Sequence, residues 1–277
     1  MRIKTRKMYP PAPEQAVDLV IKHYDRDVVY SFKNSDPVED RPTEQDPVKR
    51  GEVTCFTQRS RRRCRLVLRN IAKHMFFTFG LTYPKDFPVD GRRVKENLHA
   101  LTMWLNRRGI GYFWIIEFQE RGAPHFHGFL TRPRVDDQGN VLINSFVGRD
   151  ELAAAWNKII SADRSEYLGD PDHLKHGTYH EIIRSQGKMA SYFTEYMNKL
   201  EQKIVPANYR DVGRYWGFTR SLLDVKVQTV HGDYRELSRM LRLERRKYKA
   251  RCRTWGFKWK WRGQGWTYWD YTPAPII

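Results

Sequence analysis

The sequence predicts an α+β fold in which helices cover an antiparallel β-sheet of about five strands. Segments rich in β-branched and aromatic residues alternate with segments of helical periodicity, in the order β–α–β–β–α–β–α–β–α. A short turn around Gly122 joins two strand segments directly, as in an antiparallel hairpin. Hydrophobic residues make up 40% of the 277 residues, which is enough apolar material for a core.

Each element is predicted from its local pattern. Runs of β-forming residues bounded by turn residues predict strands over 75–83, 111–119, 124–130, 179–183 and 224–230. Apolar residues that recur every three or four positions predict helices over 94–108, 150–160, 188–203 and 234–253. Gly109 is expected to end the first of these helices and Asp150 to cap the second. The remaining segments are predicted as a short helix over 16–23, a loop over 33–52 and a basic loop or phosphate contact over 58–65.

These elements suggest three segments. Residues 1–74 are a basic, Pro-rich N-terminal extension, and residues 75–232 form the central domain. Residues 233–277 form a basic helix and a Trp-rich tail, which we expect to dock on the central domain, because tryptophan side chains are seldom left in water.

The charge is large and unevenly distributed. With 50 Lys and Arg against 32 Asp and Glu, the net charge is +18, and it divides into +7 for residues 1–74, −1 for 75–183 and +12 for 184–277. Basic segments around a neutral centre favour a polyanionic partner, and nucleic acid is the common one. No apolar run is long enough to cross a bilayer, and three cysteines without a CxxC pair argue against a zinc knuckle or disulfide framework. We therefore expect a cytoplasmic protein without a membrane partner.

The segment His125-Phe126-His127 carries the clearest chemical signal. Alternation along a strand places both imidazoles on one face, where they can reach the same metal ion. If the preceding hairpin loop has an odd number of residues, Glu117 lies opposite one of the histidines and completes a triad. The alternative is that two histidines at this spacing are ordinary surface or core residues, since two imidazoles are only part of a metal site.

A second candidate lies on the helix predicted over 188–203. Tyr192, Tyr196, Lys199 and Lys203 share one helical face, and Lys188 begins the segment. A phenol is a weak nucleophile at neutral pH, but a metal ion and a nearby lysine would activate it. The alternative is a helix that buries both tyrosines as core aromatics.

Together these motifs resemble the HUH endonucleases, and within them the rolling-circle replication initiators of single-stranded DNA phages and small plasmids. Phe77–Tyr83 resembles the first motif of that family, and the stretch from Glu117 to His127, with its Gly-x-Pro-His-aromatic-His core, resembles the second. The segment Tyr192-Phe193-Thr194-Glu195-Tyr196-Met197-Asn198-Lys199 resembles the two-tyrosine third motif. Val212–Gly217, which includes Arg214, is similar to a stretch that follows the tyrosines in these initiators.

The resemblance implies an RRM-like or palm-like HUH fold for residues 75–232 and a defined chemistry. Glu117, His125 and His127 would hold Mg²⁺ or Mn²⁺, Tyr196 or Tyr192 would attack single-stranded origin DNA, and Lys199 would assist. The products would be a 5′-phosphotyrosine link and a 3′-OH primer. The chain has no GxxxxGK[ST] motif, so the resemblance implies a separate helicase and polymerase of a bacterial host, in whose cytoplasm the protein would act.

The basic C-terminal segment adds candidate contacts to DNA. Arg239, Arg242 and Arg246 belong to the predicted basic helix, and Lys258 and Lys260 alternate with aromatic residues in the tail. Cations interleaved with aromatic rings suit a single strand, as do Lys188, Lys203 and Arg214. Three alternatives remain open: a conjugative relaxase, a single-strand transposase, and a non-catalytic basic nucleic-acid-binding protein.

Overall fold

The computed structural model describes residues 16–25, 27–34, 55–138, 140, 142, 145–162, 165–184, 205–254, 258–261 and 265–269. They divide into two compact units. The central unit consists of the described residues of Val48–Leu223, and the discontinuous unit consists of those of Met1–Pro47 and Asp224–Ile277. Each unit contains a five-stranded antiparallel sheet, so the predicted α+β class is confirmed.

The sheet of the central unit has the strand order β6-β3-β5-β4-β7. Its strands are β3 (Met75–Thr82), β4 (Tyr112–Phe118), β5 (Pro124–Thr131), β6 (Thr178–Ile182) and β7 (Trp216–Phe218). Its helices are α1 (Gln58–Ile71), α2 (Gly91–Arg107), α3 (Arg149–Ile160) and α4 (Pro171–His176). The two strands of the hairpin, β4 and β5, therefore lie inside the sheet.

Apolar side chains at helical spacing hold α2 in the core of the central unit. Val94, Leu98, Leu101 and Leu105 are all buried. Burial of each such side chain contributes about 1.5–3 kcal/mol. The helix ends as predicted, because Gly109 adopts a φ of +65° and its N–H donates to the carbonyl of Asn106.

The discontinuous unit joins residues from both ends of the chain in one sheet, of order β8-β1-β2-β10-β9. Its strands are β1 (Ala16–His23), β2 (Asp27–Asn34), β8 (Lys226–Asp233), β9 (Lys258–Trp261) and β10 (Gly265–Trp269). Its helix α5 (Tyr234–Thr254) packs Leu237 and Leu241 against Val17 and Leu19 of β1.

The prediction of a helix over residues 16–23 is wrong, because this segment is strand β1. Its backbone pairs with β2 on one side and with β8 on the other, which satisfies its hydrogen-bonding groups without a helix. Val17 and Leu19, two residues apart, are buried on one face under α5. Since β8 lies about 200 residues further along, local pattern alone could not reveal this pairing.

The basic segment 58–65 is not a loop either, because it begins helix α1. Thr57 caps the helix, and its hydroxyl oxygen accepts a hydrogen bond of 3.2 Å from the backbone N–H of Ser60. Four side chains on the other side of the helix are buried: Cys64, Val67, Leu68 and Ile71. The arginines of this segment are thus the polar face of an amphipathic helix.

Two further assignments change. The strand predicted over 224–230 exists as β8, but it belongs to the sheet of the discontinuous unit, and β7 is the fifth strand of the central sheet. Gly148, not Asp150, is the N-cap of α3, and Asp150 lies in its first turn. The tail strands β9 and β10 extend the sheet of the discontinuous unit through β2, and docking of the tail on residues 75–232 remains a prediction.

Within the described part of the chain, none of the helices has the length and apolar character needed to span a membrane.

Candidate active site

The β4–β5 hairpin brings the three predicted metal ligands onto one face of the central sheet. Glu117 lies directly opposite His125, and Ile115 lies opposite His127. Phe118 and Pro124 form the last pair, so the loop consists of residues 119–123 and has an odd length. The register predicted for the hairpin is therefore confirmed. Gly122 turns the chain with a φ of +80°, and its N–H donates to the carbonyl of Gln119.

The three side chains lie close together at the end of this hairpin. His127 Nε2 is 3.9 Å from Glu117 Oε2, and the ring centroids of His125 and His127 are 4.1 Å apart. The Glu117 side chain is only 7% exposed, while that of His127 is 29% exposed. A buried carboxylate beside two imidazoles is a costly arrangement that needs compensating charge.

Gly80 leaves room beside the histidines. It pairs with His127 across the β3–β5 ladder, and an ideal Cβ on Gly80 would lie 3.6 Å from His125 Nε2 and 3.8 Å from His127 Nδ1. The same Cβ would lie 3.6 Å from the Cβ of Tyr179, which pairs with Gly80 from β6 and is 51% exposed. An aromatic side chain thus borders the histidines on the side away from Glu117.

The hairpin loop is attached to the end of β3 by Arg121. Its guanidinium donates hydrogen bonds of 2.8 Å to the carbonyls of Tyr83 and Pro84, and its Nε donates one of 2.9 Å to Gln119 Oε1. Gln119 Nε2 in turn lies 3.5 Å from Nδ1 of His125. This series of contacts connects the backbone of β3 to the imidazole of His125.

The surroundings of His125 keep its imidazole neutral at pH 7. Burial, and secondarily the positive charge of Arg121, lower the pKa of His125 to about 4. A neutral imidazole offers a lone pair to a metal ion, whereas a protonated one does not.

The donor set and the shared face suit a divalent ion. Two imidazoles and a carboxylate are common ligands of Mn²⁺ and related ions, and the space at Gly80 adjoins both rings. Among the residues that the structure describes, however, no three His, Cys, Asp or Glu side chains are already arranged as a ligand cluster. Ligation through Nε2 of His125 requires the ring proton on Nδ1, and therefore a rotation of the Gln119 amide.

Several predicted site residues fall outside the described part of the chain. These are both tyrosines and the three lysines of the predicted tyrosine helix: Tyr192, Tyr196, Lys188, Lys199 and Lys203. Lys258 and Lys260 lie on β9, but their side chains are likewise outside the described residues. The structure therefore does not test these assignments.

The basic helix α5 carries the three predicted arginines at spacings of three and four residues. Arg239, Arg242 and Arg246 are all exposed. Arg242 also lines a cleft of about 450 Å³ in the discontinuous unit, together with the aromatic side chains Tyr30, Phe32 and Tyr234. Arg214 is exposed in the central unit, where it lines a larger cleft beside β7.

Sequence reasoning missed Gln119, Arg121 and Tyr179 as neighbours of the histidines. Gln119 and Arg121 belong to the motif-bearing hairpin, and their spacing of two residues was a usable signal that they share a side of the loop. Tyr179 gave no such signal, because its position depends on the pairing of β6 with β3, about 100 residues earlier in the chain.

Comparison with known families adds independent support. The family model of the replication-associated protein ORF2 matches residues 74–201. The matched segment is somewhat less than half of the chain, and it contains β3, the hairpin with its three candidate ligands, and the two tyrosines. The match supports a replication initiator of the Rep type. The comparisons with curated proteins and with solved structures found no match.

Proposed function

We propose that this protein initiates rolling-circle replication by nicking and rejoining single-stranded origin DNA through a tyrosine. The observation that carries the proposal is the placement of Glu117, His125 and His127 on one face of a hairpin, within the segment similar to replication-associated proteins. The net charge of +18 is consistent with a nucleic-acid substrate.

In the proposed reaction, the Oη of Tyr196 attacks the scissile phosphorus. The bond from phosphorus to Tyr196 forms as the bond from phosphorus to the 3′-oxygen breaks, and the phenol proton is given up. Lys199 donates a proton to the leaving 3′-oxygen or neutralises its charge, so that a 3′-OH remains as primer. Tyr192 makes the second attack, which releases a closed circle.

The roles of the hairpin residues follow from their chemistry. Glu117, His125 and His127 would hold Mg²⁺ or Mn²⁺, and the two imidazoles favour Mn²⁺ on affinity. The bound ion would supply charge stabilisation at the scissile phosphate. Gln119 and Arg121 hold the His125 side of this arrangement in place.

The central test is the formation of a covalent adduct. Wild-type protein is incubated with Mn²⁺ and single-stranded oligonucleotides that tile the replicon, and the products are resolved on a denaturing gel. We expect a protein–DNA adduct with the wild type and none with Tyr192→Phe/Tyr196→Phe, because phenylalanine lacks the attacking oxygen. We also expect His127→Ala to lose the adduct while it still binds the oligonucleotide.

Tyr179 provides a discriminating variant, since it is an exposed tyrosine on the same face as the histidines. Loss of the adduct in Tyr179→Phe, or its persistence in the double tyrosine variant, would contradict the assignment of the nucleophile. Absence of an adduct on every oligonucleotide would favour the non-catalytic DNA-binding alternative. A nick whose 3′-OH is not extended by a polymerase would favour a relaxase or a transposase.

A further inference from the structure

A cleft of about 860 Å³ lies in the central unit, away from the candidate metal ligands. It is formed by α2, β4, β7 and the loop 210–214. The β4 residues that line it are Tyr112 and Trp114, whereas Glu117 is an odd number of positions away on the same strand. Because side chains alternate along a strand, the cleft and the candidate metal ligands lie on opposite faces of the sheet.

The rim of the cleft is strongly basic. Four cations, Arg92, Lys95, Arg210 and Arg214, line it against a single acid, Asp211, which leaves three net positive charges. Lys95 Nζ donates a hydrogen bond of 3.0 Å to the backbone carbonyl of Asp211, so the lysine is anchored at the rim. The Arg92 side chain is 84% exposed, and its nearest acid, Glu96, is 3.9 Å away.

The floor of the cleft is aromatic. Tyr112 is half-buried, and Trp114 is 9% exposed. Trp114 pairs with Gly217 of β7, and a Cβ on Gly217 would lie 2.8 Å from the indole ring. The indole is therefore packed directly against bare backbone, which fixes its position beneath the basic rim.

We propose that this cleft binds a nucleotide of single-stranded DNA, with phosphate on the basic rim and a base against the aromatic floor. Aromatic rings flanked by cations are the usual means of holding a single strand without reading its sequence. The volume is within the range of sites that enclose small organic groups. The proposal rests on the proposed function only for the choice of DNA as ligand.

The position of the cleft gives this contact a distinct role. β7 is the edge strand of the central sheet, so a DNA strand that reaches both faces passes around that edge. The cleft then holds DNA outside the segment that is cut. It raises affinity and does not take part in bond cleavage.

The test measures affinity without metal, so its result does not depend on cleavage. Full-length protein is titrated into a fluorescein-labelled oligodeoxythymidylate of about 20 nucleotides, longer than the site of a single binding domain, at several salt concentrations, and anisotropy is recorded. We expect Arg92→Ala/Arg214→Ala to weaken binding about tenfold at low salt, because two phosphate contacts are lost. The slope of log K against log[salt] should fall by about 1.4.

The matched control removes the same charge elsewhere in the central unit. Arg107→Ala/Lys158→Ala takes two exposed cations from α2 and α3 that do not line the cleft. It should leave the salt slope unchanged. Equal slopes and affinities for the two double variants would overturn the proposal, since the effect would then be that of net charge alone.

A second pair of variants tests the aromatic floor. Tyr112→Leu should weaken binding about tenfold, because base–aromatic stacking is lost, while Tyr112→Phe should restore it. An abasic oligonucleotide of the same length should bind both variants equally. If Tyr112→Leu binds as tightly as Tyr112→Phe, the cleft does not hold a base. An adduct in wild-type protein with no cleft effect overturns this inference but not the proposed function, and the reverse result does the opposite.

Discussion

The carboxylate of Glu117 is the least expected side chain of the central sheet. It is buried at the end of a strand whose neighbours are Ile115, Ile116 and Phe118, and desolvation of an ionised carboxylate is costly unless positive charge compensates it. Its nearest charged neighbour is His127, at 3.9 Å. At the scale of single residues, the site is therefore defined by a buried acid whose charge two imidazoles, or a cation bound with them, can offset.

Gly80 offers a residue-scale test of the space beside these rings. An alanine Cβ there would make ordinary contacts of 3.6–3.8 Å, so Gly80→Ala should keep its thermal midpoint and its Mn²⁺ affinity. Gly80→Val adds two methyl groups in the same space, and crowding of this kind costs about 1–3 kcal/mol of stability. We expect Gly80→Val to lower Mn²⁺ affinity, measured by electron paramagnetic resonance. Unchanged affinity in the valine variant would show that this space is not used.

At the scale of elements, the β4–β5 hairpin positions the site. A loop of odd length sets Glu117 opposite His125, and a shift of one residue would carry the whole β5 face to the other side of the sheet. Arg121 adds a second constraint, since it attaches the loop to the carbonyls of Tyr83 and Pro84. The hairpin is thus fixed both by its register and by its contacts with β3.

Gly122 provides the test at this scale. Its φ of +80° is unfavourable for residues with a side chain, but no atom lies within 4 Å of its ideal Cβ. Gly122→Ala should therefore reduce the free energy of unfolding by about 1–2 kcal/mol through backbone strain alone, as measured by urea denaturation. Gly122→Asn should lose less, because asparagine tolerates this conformation. Equal losses would mean that the side chain, not the backbone, sets the cost.

At the scale of the whole molecule, each unit has its own buried cluster. The cluster of the central unit lies within residues 56–223, whereas that of the discontinuous unit combines Val17 and Leu19 with Leu237 and Leu241. The first can form from one continuous stretch of chain. The second requires both ends of the chain together.

This difference predicts unequal tolerance of truncation. A chain of residues 48–223 should still unfold cooperatively, because it retains the complete cluster of the central unit. We expect its thermal midpoint, followed by near-UV circular dichroism, to fall within about 10 °C of the matching transition in the full chain. A chain ending at Leu223 should expose residues 16–34 to limited proteolysis, since β8 and α5 are then missing. Loss of cooperative unfolding in 48–223 would contradict the independence of its core.

The local pattern of the sequence was sufficient for the strands β3, β4 and β5, for helix α2 with its end at Gly109, and for the register that joins Glu117 to His125. Those features depend on alternation, helical period and turn residues within about 20 positions of each other, where neighbouring residues dictate conformation. Only the tertiary structure decided that residues 16–23 form a strand, that β7 and not β8 completes the central sheet, and that Tyr179 borders the histidines. The physical reason is that these positions depend on partners about 100 to 200 residues away, and backbone pairing and burial against such partners override local propensity.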